Sequence, residues 1–137
     1  MIVVDSNVWS EATKPNPDPK VQAWAARHQD HLWLSTIVLA ELRAGASMLP
    51  VGKRRTALEH QIEAVVQEYA DRILPFDEPA SRHYAAILEN AKRTGRPIMT
   101  ADGMIAATAK ARGMRVATRD LSDFAAAGLE LINPWDP

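Results

Sequence analysis

The chain has 137 residues, 47% of them hydrophobic and 24% charged, which is enough apolar material for one compact domain over residues 1–137. Its 16 Lys and Arg residues nearly balance its 17 Asp and Glu residues. The resulting net charge of −1 excludes a global field that would draw the protein onto nucleic acid or anionic lipid, and the absence of cysteine excludes disulfides and thiolate ligands.

Targeting and membrane segments are not evident in the sequence. No basic segment precedes the apolar run at residues 2–4, and no apolar run approaches the ~20 residues of a membrane helix. Together with the absence of cysteine, these features lead us to expect a complete, soluble, cytoplasmic protein without membrane contact.

The first third of the chain alternates short apolar runs with helical patterns. Residues 2–4 predict a short buried strand that stops at Asp5, after which Ser6 or Asn7 can cap a short helix. A proline-rich loop follows, and then the pattern predicts a helix over 18–27, a strand over 32–34 and a helix over 37–48.

The alternation continues to the end of the chain. We predict a long helix from beyond Gly52 toward Pro75, an extended segment over 74–76 and a helix from Asp77 to Gly95. A further helix begins near Asp102, and strands are predicted at 116–118 and 129–132 with a short helical segment over 119–124 between them. Short strands between helices predict an α/β fold with a short, mainly parallel sheet flanked by helices.

Two carboxylates stand where predicted strands end. Asp5 follows residues 2–4, and Asp120 follows residues 116–118 in the same way. Parallel strands bring their carboxyl ends to one edge of the sheet, where ligands bind in α/β folds, so these two acids should meet. Asp123 has two interpretations, a role in this site or a capping role with Asp120 at the start of the short helix.

Two further acids lie on helices. Glu41 shares a helix face with Ile37 and Val38, so its carboxylate either reaches into the same crevice or extends from the rim to water. Asp102 lies in the first turn of a helix, where it is either a site residue or an acid stabilised by the free N–H groups of that turn.

Four carboxylates that converge in one crevice repel one another unless cations are bound. Oxygen-only ligation favours Mg²⁺ or Mn²⁺ over Zn²⁺, and such ions activate water and neutralise charge at a phosphodiester. We therefore predict a metal-dependent phosphodiester hydrolase whose catalytic and metal-binding residues are Asp5, Glu41, Asp102 and Asp120.

Four sequence blocks together resemble the successive blocks of a PIN-domain protein. They are MIVVDSNV (1–8), VLAEL (38–42), TADGMIA (100–106) and ATRDLSDF (117–124). Their order and spacing match throughout, and the resemblance extends to LINPW (131–135), which is similar to the FitB-like branch of VapC-type toxins.

This resemblance implies a PIN-like three-layer α/β/α fold and an Mg²⁺- or Mn²⁺-dependent endoribonuclease that serves as the toxin of a VapBC-type toxin–antitoxin pair. It further implies an RNA substrate, a VapB-type antitoxin, a homodimer or a dimer of dimers, and operator DNA bound only through the antitoxin. The family's acidic positions correspond to Asp5, Glu41, Asp102 and, as a fourth acid that is Asn in some members, Asp120.

The residues that surround these acids have supporting roles in the same resemblance. Ser6 and Thr118 match small hydroxyl residues beside the metal site, and Asp123 is the further acid of its block. Among the basic clusters (53–55, 92–96 and 110–119), Arg119 is the best candidate for an RNA phosphate or an antitoxin carboxylate, because it adjoins Asp120.

Two alternatives remain open at this point. A phosphohydrolase of the haloacid dehalogenase kind would use Asp5 as a nucleophile, but it requires a second acid where Asn7 stands. A catalytically weak PIN scaffold in a DNA-binding repressor complex would need its acids only for structure. We assign no chemistry to the four histidines, and we expect the tryptophans to be packing residues, namely Trp9, Trp24, Trp33 and Trp135.

Overall fold

The structure is a computed structural model that describes residues 1–137, and a five-stranded sheet forms its centre. The strands are β1 (Ile2–Val4), β2 (Leu32–Ser35), β3 (Ile73–Leu74), β4 (Arg115–Ala117) and β5 (Leu131–Ile132). They follow the order β3-β2-β1-β4-β5, and every neighbouring pair is parallel. The central strand β1 is buried along its whole length, as its unbroken apolar sequence predicts.

Helices cover both faces of this sheet and give the predicted three-layer α/β/α architecture. A cluster of 21 buried apolar residues joins the layers into a core. None of the helices combines the length and the apolar character that crossing a bilayer requires. The helices are α1 (Ser6–Ala12), α2 (Pro19–His28), α3 (Thr36–Ser47), α4 (Lys53–Glu68), α5 (Glu78–Thr94) and α6 (Thr100–Ala111), with 3₁₀ turns at Gln29–His31, Ala70–Arg72 and Leu121–Ala127.

The register of the sheet determines which residues leave it together. Val4 lies opposite Ala117, so the next residues of β1 and β4, Asp5 and Thr118, leave the same edge side by side. The Asp5 N–H donates to the Ala117 carbonyl over 2.9 Å, and the Thr118 N–H donates to the Ile132 carbonyl over 2.9 Å. The carboxyl ends of β1, β4 and β5 therefore form one continuous edge.

The predicted end of the long helix near Pro75 is wrong, whereas the extended segment predicted over 74–76 overlaps a strand. Helix α4 ends at Glu68, and Ile73–Leu74 is an edge strand that pairs with β2. The Arg72 guanidinium lies over the ring of Tyr69 and donates to the carbonyls of Gln29 and Leu32, which anchors the intervening turn beside β2. The contacts with Gln29 and Leu32 are long-range, so apolar periodicity alone could not place the end of the helix at Glu68.

Two glycines provide a matched test of the helix boundaries. A Cβ added to Gly45, inside α3, or to Gly95, which ends α5 at φ +67, would meet no atom within 4 Å. Packing of the added methyl group therefore contributes little to the change in stability at either site, and the two sites differ in backbone conformation. We expect Gly45→Ala to raise the free energy of unfolding by about 0.5–1 kcal/mol and Gly95→Ala to lower it by about 1 kcal/mol.

Urea denaturation of the two variants measures both changes. Equal effects of the two substitutions would contradict the assignment of Gly95 as the left-handed end of α5.

Candidate active site

Asp5 lies at the junction of β1 and α1, and the fold buries it to 4% exposure. One carboxylate oxygen accepts the Ser6 N–H at 2.8 Å, and the other accepts the Thr118 hydroxyl at 2.7 Å. Asp5 is therefore the N-cap of α1, and our prediction that Ser6 or Asn7 caps this helix is wrong. Burial, with a smaller contribution from the Asp120 carboxylate, raises the pKa of Asp5 against the lowering effect of these hydrogen bonds.

The sequence led us to expect that Asp120 repeats the position of Asp5, and this prediction is wrong. In the register of the sheet, Thr118 is the residue level with Asp5, and Asp120 lies two residues further out, exposed to solvent. Asp120 begins the last 3₁₀ turn without a side-chain capping bond, and its carboxylate instead accepts the Asn7 side-chain amide at 3.1 Å. The capping interpretation of Asp120 and Asp123 therefore finds no hydrogen bond to support it.

Asn7 connects the two segments of the site, a role that the sequence did not reveal. Its amide nitrogen donates to the Thr118 hydroxyl at 3.3 Å as well as to Asp120, and its carbonyl oxygen accepts the Arg119 N–H at 3.3 Å. The Thr118 hydroxyl also accepts the Asp120 N–H at 3.1 Å. A neutral framework of amide and hydroxyl groups thus holds the carboxylates of Asp5 and Asp120 in place.

Glu41 projects from α3, which packs against α1 and α6. Its Oε1 atom is buried without a hydrogen-bond partner, while the neighbouring Arg43 pairs with Glu63 of α4 instead. Burial and the Asp5 carboxylate raise the pKa of Glu41, and the Ser6 hydroxyl lowers it. An unpaired buried carboxylate oxygen is unfavourable, which makes Glu41 a candidate ligand rather than a rim residue that extends to water.

Asp102 is the third residue of α6, and its environment couples it to every other acid of the site. Burial and the carboxylates of Asp5, Glu41, Asp123 and Asp120, in decreasing order of effect, together raise the pKa of Asp102 from 3.8 to about 6. The other four acids predicted at this edge thus all contribute to the raised pKa of Asp102. The position of Asp102 in the first turn of α6 also agrees with the interpretation that the free N–H groups of that turn stabilise it.

The chemistry of this donor set fits a hard divalent cation. Every charged donor is a carboxylate, one buried carboxylate oxygen has no partner, and three of the pKa values are raised, first by burial and then by neighbouring carboxylates. As they stand, no three acidic or histidine side chains form a compact set that would hold a metal ion alone. The metal-binding roles of these residues stay predictions.

Glu11 is a second residue that the sequence analysis missed. It lies on the buried face of α1 with Val8, is 5% exposed, pairs with Lys14 at 3.0 Å and accepts the Trp135 indole N–H at 3.3 Å. The signal that identified Glu41, an acid on the apolar face of a helix, applies equally to Glu11 and would have found it.

Comparison with known proteins connects this geometry to a family. A model of the PIN domain matches residues 2–128 of the chain. The VapC ribonuclease Y4jK of Sinorhizobium fredii is 52% identical over 139 residues, which cover 100% of this chain and 99% of that protein. The toxin FitB of Neisseria gonorrhoeae is 44% identical over 137 residues, which cover 98% of this chain and 99% of that protein.

The fold of a solved structure agrees with these sequence matches. A chain in the structure of FitAB bound to an IR36 DNA fragment superposes with a TM-score of 0.92 at 44% identity, covering 98% of this chain and 96% of that one. The resemblance that the four sequence blocks indicated is confirmed over nearly the whole length. This chain belongs to the PIN-domain family, among the proteins of the VapC and FitB type.

Proposed function

We propose that this protein is an Mg²⁺- or Mn²⁺-dependent endoribonuclease that acts as the toxin of a VapBC-type toxin–antitoxin pair. The observation that carries the proposal is the convergence of carboxylates at one edge of the sheet, where three pKa values are raised and no protein cation neutralises the charge. The names of the relatives, a VapC ribonuclease and a toxin, support the same activity. The proposed catalytic and metal-binding residues are Asp5, Glu41, Asp102 and Asp120.

A bound divalent ion would supply water activation and charge neutralisation at the scissile phosphate. Asp5 and Glu41 would contact it from the buried side of the site, and Asp102 from the start of α6. Asp5 is suited to this role because Thr118 and Ser6 fix the orientation of its carboxylate. Since no three acids form a compact set, we expect water and RNA oxygens to supply the remaining ligands.

The outer residues of the site have different proposed tasks. Asn7 holds Asp120 at the solvent-exposed rim, where the carboxylate can reach a metal ion or orient a water molecule. Asp123 lies close enough to raise the pKa of Asp102, so its negative charge contributes to attracting a cation. Arg119, exposed beside Asp120, is the proposed phosphate contact.

The proposed partners follow from the related proteins. The solved FitAB complex, bound to a DNA fragment, supports a VapB-type antitoxin as a partner. The proposal includes that this antitoxin neutralises the protein and that operator DNA is bound only through it. We further propose a homodimer, or a dimer of dimers, as the assembly.

One observation favours a second candidate, a catalytically weak PIN scaffold in a repressor complex. The absence of a compact three-ligand set is what a scaffold that does not bind metal would present. Metal binding and RNA cleavage separate the two candidates.

The first prediction from this proposed function concerns cleavage. We expect the purified protein to cleave RNA with Mn²⁺ or Mg²⁺, to stop in EDTA, and to lose at least about a hundredfold in kcat in Asp5→Asn, because removing a metal ligand removes a large share of transition-state stabilisation. Gel analysis of a labelled RNA measures the loss.

Asp71→Asn is the matched control for this experiment. Asp71 is exposed in the turn before β3, at the opposite edge of the sheet, and its loss should leave cleavage unchanged. Cleavage that is indifferent to EDTA and to Asp5→Asn would rule out the proposed mechanism.

The second prediction concerns stability. A metal ion that binds only the folded state at about ten times its Kd should raise the free energy of unfolding by about 1.4 kcal/mol, and Tm accordingly. Thermal melts with Mn²⁺ and with EDTA measure this shift, which should shrink in Asp102→Asn and persist in Asp71→Asn. A Tm that does not respond to metal would favour the scaffold.

The third prediction concerns pH. The pKa of Asp102 is about 6 when folded and 3.8 when unfolded, so the folded state binds more protons and stability falls as pH rises from about 4 through 6. In EDTA, Asp102→Asn should therefore raise Tm at pH 7 by about 2–5 °C and have little effect at pH 4, corresponding to ~1 kcal/mol after allowing for the partial exposure of the side chain. Melts of both proteins across this pH range measure it, and an equal difference at both pH values would contradict the coupling.

A further inference from the structure

The Arg119 side chain is held without using any of its hydrogen-bond donors. Its guanidinium carbon lies 4.8 Å from the centre of the Trp135 ring, and the only hydrogen bond of the residue is made by its backbone N–H to Asn7. No carboxylate lies within ion-pair distance, although Asp120 is adjacent in sequence. The planar fork of five N–H donors is therefore oriented and free.

The other cations of the same basic cluster are occupied. Lys110 donates to the Ala127 carbonyl at 3.0 Å, and the remaining two pair with acids, Arg112 with Asp77 at 2.7 Å and Arg115 with Glu130 at 3.5 Å. Within this cluster, only Arg119 presents its whole charge to a ligand at the acidic edge.

The Trp135 ring beneath the Arg119 guanidinium is itself held in place. The Trp135 indole N–H donates to buried Glu11, whose charge Lys14 balances, and the Trp135 backbone N–H donates to the Asn133 side chain at 3.0 Å. Pro134 between them is fully buried. Because β5 pairs in parallel with β4, residues 133–135 leave the sheet at the same edge as residues 118–120.

We infer that Trp135 is a positioning residue that, anchored by Glu11, holds the Arg119 guanidinium so that its N–H edge receives an RNA phosphate beside the acidic site. This inference rests on the proposed ribonuclease function. Stacking on an indole face restrains the flexible arginine side chain while leaving the N–H groups free for a bidentate phosphate contact. RNA is favoured over a protein carboxylate because the free donors lie next to the acids proposed to act on a phosphodiester.

RNA binding and cleavage kinetics together test the inference. Binding of a fluorescent single-stranded RNA is measured by anisotropy in EDTA over a range of salt concentrations, and KM and kcat are measured with Mn²⁺. Arg119→Ala should weaken binding about tenfold and reduce the salt dependence of log K by about 0.7, the value for one phosphate contact. Trp135→Leu should raise Kd and KM about threefold at unchanged kcat.

Two comparisons separate positioning from a general structural role. Trp135→Phe keeps an aromatic face and should restore most of the affinity, and Trp135→Leu should have no further effect in the Arg119→Ala background. Trp33→Leu is the matched control, since the Trp33 indole bonds to Met1 at the opposite end of the sheet and its loss should not alter RNA binding. Arg119→Lys keeps the charge but loses the planar fork and its stack, so it should retain the wild-type salt dependence and yet bind more weakly than wild type, which decides the question if Trp135→Leu does not fold.

The results that overturn the inference are distinct from those that overturn the proposed function. If the wild type binds and cleaves RNA but Trp135→Leu or Arg119→Lys keeps the wild-type KM, the inference alone is overturned. The stacked arginine would then be assigned to another ligand, such as an antitoxin carboxylate. The inference is also overturned if Trp135→Leu reduces RNA affinity equally in the wild-type and the Arg119→Ala backgrounds. A wild type that neither binds nor cleaves RNA overturns both proposals.

Discussion

Mutual repulsion among carboxylates at the carboxyl edge of a parallel sheet is the constraint on which the rest of this structure depends. Burial and neighbouring acids raise the pKa values of Asp5, Glu41 and Asp102, and one oxygen of Glu41 is buried without a partner. A fold that keeps such groups together loses stability at neutral pH unless a cation binds. This unfavourable arrangement, which packing alone would not retain, is the physical basis for proposing a metal-dependent activity.

Neutral dipoles, rather than cations of the protein, keep the site intact. Asp5 caps α1, Asp102 lies in the first turn of α6, and both therefore interact with helix N-termini. Thr118 and Asn7 supply hydroxyl and amide donors to the acids that follow β1 and β4. Because none of these groups carries a full positive charge, the negative potential of the site persists and can attract a divalent ion.

The cation that does lie at this edge is kept apart from the acids. Arg119 rests on Trp135, and Glu11 of α1 fixes the ring of Trp135, so three segments distant in sequence meet at the rim. In this arrangement the Arg119 guanidinium makes no ion pair with Asp120. An acidic interior with a restrained cation at its border is consistent with the proposed metal-dependent cleavage of RNA.

The sequence by itself determined the alternation of strands and helices, the parallel sheet, and the five acids at its edge, because hydrophobic periodicity and strand-end positions are local properties of the chain. Four short blocks were enough to predict the PIN family. Only the tertiary structure decided that Thr118 rather than Asp120 is level with Asp5, that Asn7 connects the two segments, that α4 ends at Glu68, and that Glu11 supports Trp135. Each of these depends on sheet register or on contacts between residues far apart in the chain, for which a single sequence carries no local signal.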